Sequence, residues 1–315
     1  MVICSIDEEE IESNLFARYE TEEFVYYPSH HAPLHVSIRS ATSTVGSNLT
    51  SDNRDRTGIM IWPATHLLCQ WLSERPFFQD PSGTIIELGC GCGLIGVTAK
   101  LTNKNLTWVS TDMDDKALML ARQNYRMNGF LSDDVMIRNL RWGDKDHIQG
   151  IQDELAKFRS SKQVPTIVAA DIVYPSTANQ VLRLLLETVN ILLAPSGTFY
   201  LSFCTRDGYR TPLRLIEAAS QAGFLISALN YQLDPDVKSK LPPLLDAKLL
   251  VLQRGDVIGN ELLGRQDCPV FPGLHAAVQR AAEESSDEEW EPPAFVDGDD
   301  EELFRTKLME QENER

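Results

Sequence analysis

The sequence predicts an α/β domain, a mostly parallel sheet with helices on both faces. Three observations carry the prediction. From Gly58 onward, strand-like and helix-like segments alternate at the spacing of βαβ units. The stretch VPTIVAAD (164–171) is nearly all apolar, as a strand covered on both sides must be. IIELGCGCGLIG (85–96) sets four glycines in eight positions directly behind a run of apolar β-formers. A chain gives up side chains in this way where its backbone turns sharply or lies against something bulky.

The elements follow in order. Residues 1–55 form an N-terminal extension, with an acidic leader of short helical pattern to residue 23 and then EFVYYP and LHVSIRS, which alternate like two strands. His30, His31 and His35 cluster there but lack the further ligand and rigid frame of a metal site, so they read as surface residues. A polar loop leads to the α/β domain, 56–256. In GIMIWPATHLLCQWL, Pro63 sits at a helix start ahead of Leu67, Leu68, Trp71 and Leu72. TIIEL (84–88), LTWVSTD ending at Asp112, DVMIRNL, VPTIVAAD, TFYLSFC and AKLLVLQR read as strands. Between them, GLIGVTAKLT, DDKALMLARQNYRMNG with Gly129 as its stop, STANQVLRLLLETVNILLAPSG with Pro195 and Gly197 beyond its end, and TPLRLIEAASQAGF read as helices. A C-terminal segment (257–280) and a tail (281–315) complete the chain.

Composition narrows the function. With 315 residues, 43% of them hydrophobic, the chain can bury a substantial core. No apolar run approaches the length of a membrane span, and MVICSIDEEEIES is acidic where a signal peptide is basic, so a cytosolic or nuclear protein is expected. The six cysteines are scattered, which fits a reducing compartment, and the pair Cys90 and Cys92 reads as small residues in a turn rather than as metal ligands. Residues 281–315 contribute −11 of the net charge of −17 and read as a solvated, disordered tail. Trp290 and Phe295, set among its acids, offer a docking element for a basic partner, and Ser285 and Ser286 precede acids as phosphorylation sites often do. The lack of a basic stripe argues against duplex nucleic acid as the primary ligand.

The glycine loop parses in two ways. Gly91-x-Gly93-x-x-Gly96 is a dinucleotide fingerprint, with Asp112 at the ribose-binding distance of about 20 residues. Glu87-x-Gly89-x-Gly91-x-Gly93 instead places an acid at the strand end, just before the first glycine. A pyrophosphate gains nothing from a neighbouring carboxylate. S-adenosylmethionine carries an ammonium, an uncharged ribose and no phosphate, so Glu87 near the ammonium, glycine backbone under the methionyl chain and Asp112 on the ribose form a consistent set. This second parse is favoured, and the first stays open.

A second constellation is AADIVYP, with Asp171 at the end of the fourth strand and Tyr174 in the next turn. Ser176 and Thr177 are placed to cap the following helix, which leaves Asp171 for chemistry. Together TGIMIWPA, IIELGCGCGLIG, STDMD, RWG and AADIVY, in this order, resemble the seven-β-strand protein-lysine methyltransferases of family 16, the group with an Asp-x-x-Tyr motif. The resemblance spans residues 56–255. It implies a Rossmann-like, seven-stranded class I methyltransferase sheet and S-adenosylmethionine as cofactor. It further implies cofactor contacts from Trp62, Gly89, Cys90, Gly91, Asp112, Trp142 and Ala170, with Asp171 and Tyr174 facing a substrate amine. Arg141 stands where the family usually carries an acid, and the stretch after Trp142 is longer than usual.

Methyl transfer from a sulfonium is an in-line displacement, so alignment is the main demand on the protein. The resemblance implies a protein substrate in the class of elongation factors or chaperones, met by a monomer. Rival readings are a methyltransferase for small amines, histidine or nucleic-acid bases, a dinucleotide-dependent oxidoreductase, and a non-catalytic module of the same fold. Against the base-modifying reading, DIVY keeps an acid and an aromatic but lacks the prolines common at that strand end.

Overall fold

The computed structural model describes residues 19–28, 32–41, 57–75, 83–158, 160–207, 210–231, 233–242 and 247–255. The first eighteen residues, His30, His31, most of the polar loop and the acidic tail with Trp290 and Phe295 lie outside them. An antiparallel hairpin comes first, β1 (Tyr19–Tyr26) and β2 (Leu34–Ala41). Then follow α1 (Pro63–Ser73), β3 (Thr84–Leu88), α2 (Leu94–Thr102), β4 (Thr107–Asp112), α3 (Asp115–Met127), β5 (Met136–Asn139), α4 (Lys145–Phe158) and β6 (Val164–Ala170). The chain continues through α5 (Asn179–Leu192), β7 (Leu193–Cys204), α6 (Arg210–Gln221), β8 (Phe224–Ala228), α7 (Pro235–Lys240) and β9 (Ala247–Arg254).

The main sheet runs β5-β4-β3-β6-β7-β9-β8. β3 to β7 pair in parallel, while β9 is antiparallel to both β7 and β8. The order reverses between β3 and β6, the switch point at which α/β sheets bind ligands. Alternation along each strand divides the core. Ile85, Trp108, Ile137, Val168 and Leu249 face the α1–α2–α3 side. Ile86, Val109, Ile167, Phe199, Leu201 and Leu250 face α4, α5 and α6. The long stretch after Trp142 is α4, which closes this second face with Ile148, Ile151 and Leu155.

Three expectations need correction. β1 begins at Tyr19, so residues 19–23 are strand rather than helical leader; pairing with β2 outweighs the weak β-preference of Glu20, Glu22 and Glu23. α5 starts only at Asn179, with Ala178 at the N-cap, because the Thr177 hydroxyl accepts the Tyr174 N–H instead of capping the helix. Pro195 and Gly197 lie within β7, where the register advances from Val164↔Leu193 to Thr166↔Thr198, so an irregularity in the ladder absorbs both. β8 itself, a half-exposed edge strand, has too short and mixed a pattern to stand out in the sequence.

The hairpin is fastened to the α/β core by three side-chain amides. Asn124 on α3 and Asn128 at its C-cap, one turn further on, each accept a backbone N–H and donate to the carbonyl of the same residue on β2: Arg39 for Asn124, Ser37 for Asn128. Two helix side chains thereby imitate a neighbouring strand along the β2 edge left open by β1. Gln70 of α1 makes the same two-bond pairing with Tyr27. Asn124 also donates to the Cys92 carbonyl at 2.8 Å, which ties the hairpin to the glycine turn. Behind it, the Tyr26 hydroxyl meets His66 Nδ1 at 2.9 Å, and burial pulls the imidazole down to about 4.

Candidate active site

The turn after β3 has Gly89, Gly91 and Gly93 at φ +65°, +53° and +86°, the region that disfavours a Cβ. Space demands glycine as well. A Cβ on Gly89 would lie 2.6 Å from Ile172 Cγ2, and one on Gly91 would lie 2.9 Å from the Gly58 carbonyl oxygen. The turn is thus pressed between the segment leading into α1 and the loop after β6. Cys90 is buried within it, its N–H bonded to the Thr111 carbonyl, and burial pushes its thiol well up.

Asp112, at the end of β4, accepts the Gly91 N–H on Oδ2 and the Asp114 N–H on Oδ1, at 2.9 and 3.0 Å. Each oxygen keeps a lone pair. Burial raises this carboxyl, and the two backbone donors oppose the rise.

Glu87 is fully buried, beneath α2. Its Oε2 accepts from Trp108 Nε1 at 3.0 Å and from Ser110 Oγ at 2.9 Å, and Ser110 Oγ in turn meets the Tyr125 hydroxyl. Oε1 has no partner among protein groups. Burial pushes the carboxyl up to about 8, so with protein neighbours alone it is protonated at neutral pH. An incoming ammonium would draw it back to the charged form. Gly96 lies over this cluster, and any side chain there would strike the Tyr125 hydroxyl and the Trp108 indole.

At the end of β6, Asp171 takes φ +51°, the lone positive-φ residue other than glycine among the described residues. Its side chain is entirely buried and is not left over by the cap of α5, as the sequence suggested. It caps α1 instead. Oδ2 accepts the Ala64 N–H at 3.0 Å and Arg206 Nη2 at 3.0 Å, while Oδ1 accepts the Cys204 N–H at 3.2 Å. Ser202 Oγ donates to the Ala64 carbonyl, so the start of α1 is pinned to the ends of β6 and β7. The guanidinium of Arg206 also stands over the Trp62 ring, 5.1 Å from its centroid.

Of the other expected residues, Ala170 is buried at the end of β6 and Tyr174 is half-buried in the next turn. Trp142 packs against the second core, next to Gly143, whose N–H donates to Thr188 on α5. Arg141 is exposed, its N–H donating to His147 Nδ1. The structure thus joins Gly89–Gly93 with Asp112, and Trp62 with Asp171 through Arg206. Arg206 and Ile172 escaped the sequence reading, since nothing in TRDG marks Arg206 as a partner of Asp171 and nothing in DIVY marks Ile172 as a neighbour of Gly89.

The strand order, the glycine turn at the switch point and an acid ending the adjacent strand define a class I methyltransferase. The lysine methyltransferase family profile matches residues 45–220, more than half of the chain, and the chain belongs to that family. It is 29% identical over 168 residues to a ribosomal protein L11 methyltransferase of Photobacterium profundum, covering 53% of this chain and 48% of that protein. It is 30% identical over 130 residues to the protein-lysine N-methyltransferase EEF2KMT of Mus musculus, covering 38% and 35%. It is 27% identical over 199 residues to EEF1A lysine methyltransferase 3 of Xenopus tropicalis, covering 63% and 75%. The chain thus spans less than half the length of the first two. The family's methyl donor is S-adenosylmethionine, and the residues here fit it: an acid with free lone pairs for a ribose diol, and the orphaned Oε1 of Glu87 as an acceptor for an ammonium.

Proposed function

We propose that this chain transfers a methyl group from S-adenosylmethionine to a lysine side chain of a protein. The observation that carries this reading is the family match across 45–220, which takes in the glycine cradle, Asp112 and the buried carboxylate of Asp171 beyond them. Gly89, Cys90, Gly91 and Gly93 would support the methionyl chain, Glu87 would receive its ammonium and Asp112 its ribose, with Trp62, Trp142 and Ala170 lining the remainder. Bound there, the cofactor supplies an electrophilic methyl group on a sulfonium.

The protein's task is then to present a neutral amine in line. A lysine amine, with a reference pKa of about 10.4, must lose a proton before it can attack. Asp171 accepts a hydrogen bond from the amine and orients its lone pair, and Tyr174 narrows the approach. The relatives' names point to the translation apparatus, so an elongation factor or ribosomal protein is the proposed substrate class, met by a monomer in the cytosol.

The test supplies methyl-labelled S-adenosylmethionine to purified protein and a lysate depleted of the enzyme. Asp171→Asn runs alongside, since asparagine tolerates a positive φ. A discrete labelled band traced to lysine, lost at least about a hundredfold with the variant while cofactor affinity holds, is the expected outcome. Equal labelling by both proteins removes Asp171 from the mechanism, and label on histidine or a small molecule overturns the lysine assignment.

A further inference from the structure

Asp171 is bonded to three donors, and they are not equivalent. The Ala64 and Cys204 N–H groups belong to the backbone of α1 and β7 and cannot leave without unmaking those elements. Arg206 is a side chain on the segment just beyond β7, 23% exposed, while the Asp171 side chain it covers is 0% exposed. Of the three donors, the guanidinium is therefore the one that an incoming group can replace.

The position Arg206 holds has a definite chemistry. One oxygen of a buried carboxylate lies 3.0 Å from its Nη2, and the face of the Trp62 ring lies 5.1 Å from its central carbon. A carboxylate beside an aromatic face is a site for an organic cation. A lysine ammonium satisfies the same two groups, with the same charge and a smaller head.

We infer that Arg206 is a resident cation in the acceptor-amine site, displaced by the substrate's ammonium, so that it selects a cationic amine and keeps the carboxylate covered between turnovers. This rests on the reading of Asp171 as the amine-facing acid. Exchange is one charge for another. A neutral group that pushed Arg206 aside on entry would leave a buried carboxylate short of a counter-charge, which is heavily penalised, so alcohols and thiols are selected against at entry, whereas the amine enters as its ammonium and gives up its proton before transfer. An ammonium restores the pairing. Asp207, the next residue, is engaged by the Thr211 N–H and hydroxyl, so the carboxylate adjoining Arg206 in the chain already has donors of its own.

The experiment uses the full chain with 5-fluorotryptophan, the Trp62 resonance being assigned from Trp62→Phe. With S-adenosylhomocysteine present, n-butylammonium chloride is titrated into the parent, Arg206→Gln and Arg206→Lys, with n-butanol as the neutral control. Removal of the internal competitor should tighten butylammonium binding by roughly tenfold in Arg206→Gln. Arg206→Lys should remain near the parent, butanol should bind none of them, and S-adenosylhomocysteine affinity should stay level. A merely structural arginine that no substrate displaces would leave the parent without saturable butylammonium binding, even if Arg206→Gln gained it. Equal or weaker butylammonium binding by Arg206→Gln than by the parent, or no saturable shift at Trp62 in the parent, overturns the inference. The methylation assay is scored separately: a labelled lysine with no gain in Arg206→Gln sinks this inference alone, whereas a butylammonium gain without lysine label sinks the functional reading and leaves the cation site standing.

Discussion

Replacing Glu87 by glutamine separates a buried acid that titrates from one that is merely enclosed. The carboxyl moves from an ordinary value of 4.5 to about 8 in the fold, because burial outweighs the hydrogen bonds from Trp108 and Ser110. The folded chain then holds a proton that the unfolded chain releases above pH 4.5. Stability from this group is fully present below that pH and is lost as pH rises through about 8. The slope reaches about 1.4 kcal/mol per pH unit, so the loss between pH 6 and pH 8 is roughly 2 kcal/mol. Glutamine keeps the shape, can still accept from Trp108 and Ser110, and has no proton to lose. Urea unfolding of both proteins at several pH values isolates the difference, since every other titrating group is common to both. The variant's advantage over the parent should grow by roughly 2 kcal/mol between pH 6 and pH 8. Parallel profiles would refute the reasoning, because they would mean that Glu87 stays charged throughout. S-adenosylmethionine should flatten the parent's profile, since its ammonium favours the ionised acid.

Two further substitutions probe how the turn is held. Gly96→Ala forces a methyl into the Tyr125 hydroxyl and the Trp108 indole, both enclosed, and should destabilise by about 3 kcal/mol or more in urea; a loss under about 0.5 kcal/mol would show that the cluster yields freely. Asn124→Ala removes the bonds to Arg39 and Cys92 and strands buried backbone groups. It should cost about 2–4 kcal/mol, and hydrogen exchange should rise first in β2 and the turn 89–93. Exchange confined to β2 would show that the bond to Cys92 carries no coupling.

The positive φ of Asp171 links stability to the site. A residue in that conformation costs about 1–2 kcal/mol in local strain, less for aspartate than for most. Three donors and the ends of α1, β6 and β7 hold it there. The same bonds place a carboxylate one residue from Ile172, the residue that presses on Gly89.

Much of this protein was legible in the linear chain. Apolar runs such as TIIEL and VPTIVAA, short and bounded by turn residues, read as buried strands, and the glycines behind the first read as a tight turn; both follow from local sterics and hydrophobic patterning. The resemblance carried by these motifs supplied the family, and Pro63 and Gly129 marked a helix start and a helix stop by their backbone preferences alone. What only the tertiary structure decided depends on partners distant in sequence. Asp171 reads as a free acid until Ala64, 107 positions away, and Arg206 come to meet it. Glu87 reads as charged until the fold withdraws water from it. Asn124 and Asn128 look like exposed helix polars until β2 lies along them, 85 and 91 positions from their partners. Periodicity reports which face of an element is covered; it holds no information on which polar group will stand opposite, and protonation and hydrogen bonding are set by that pairing.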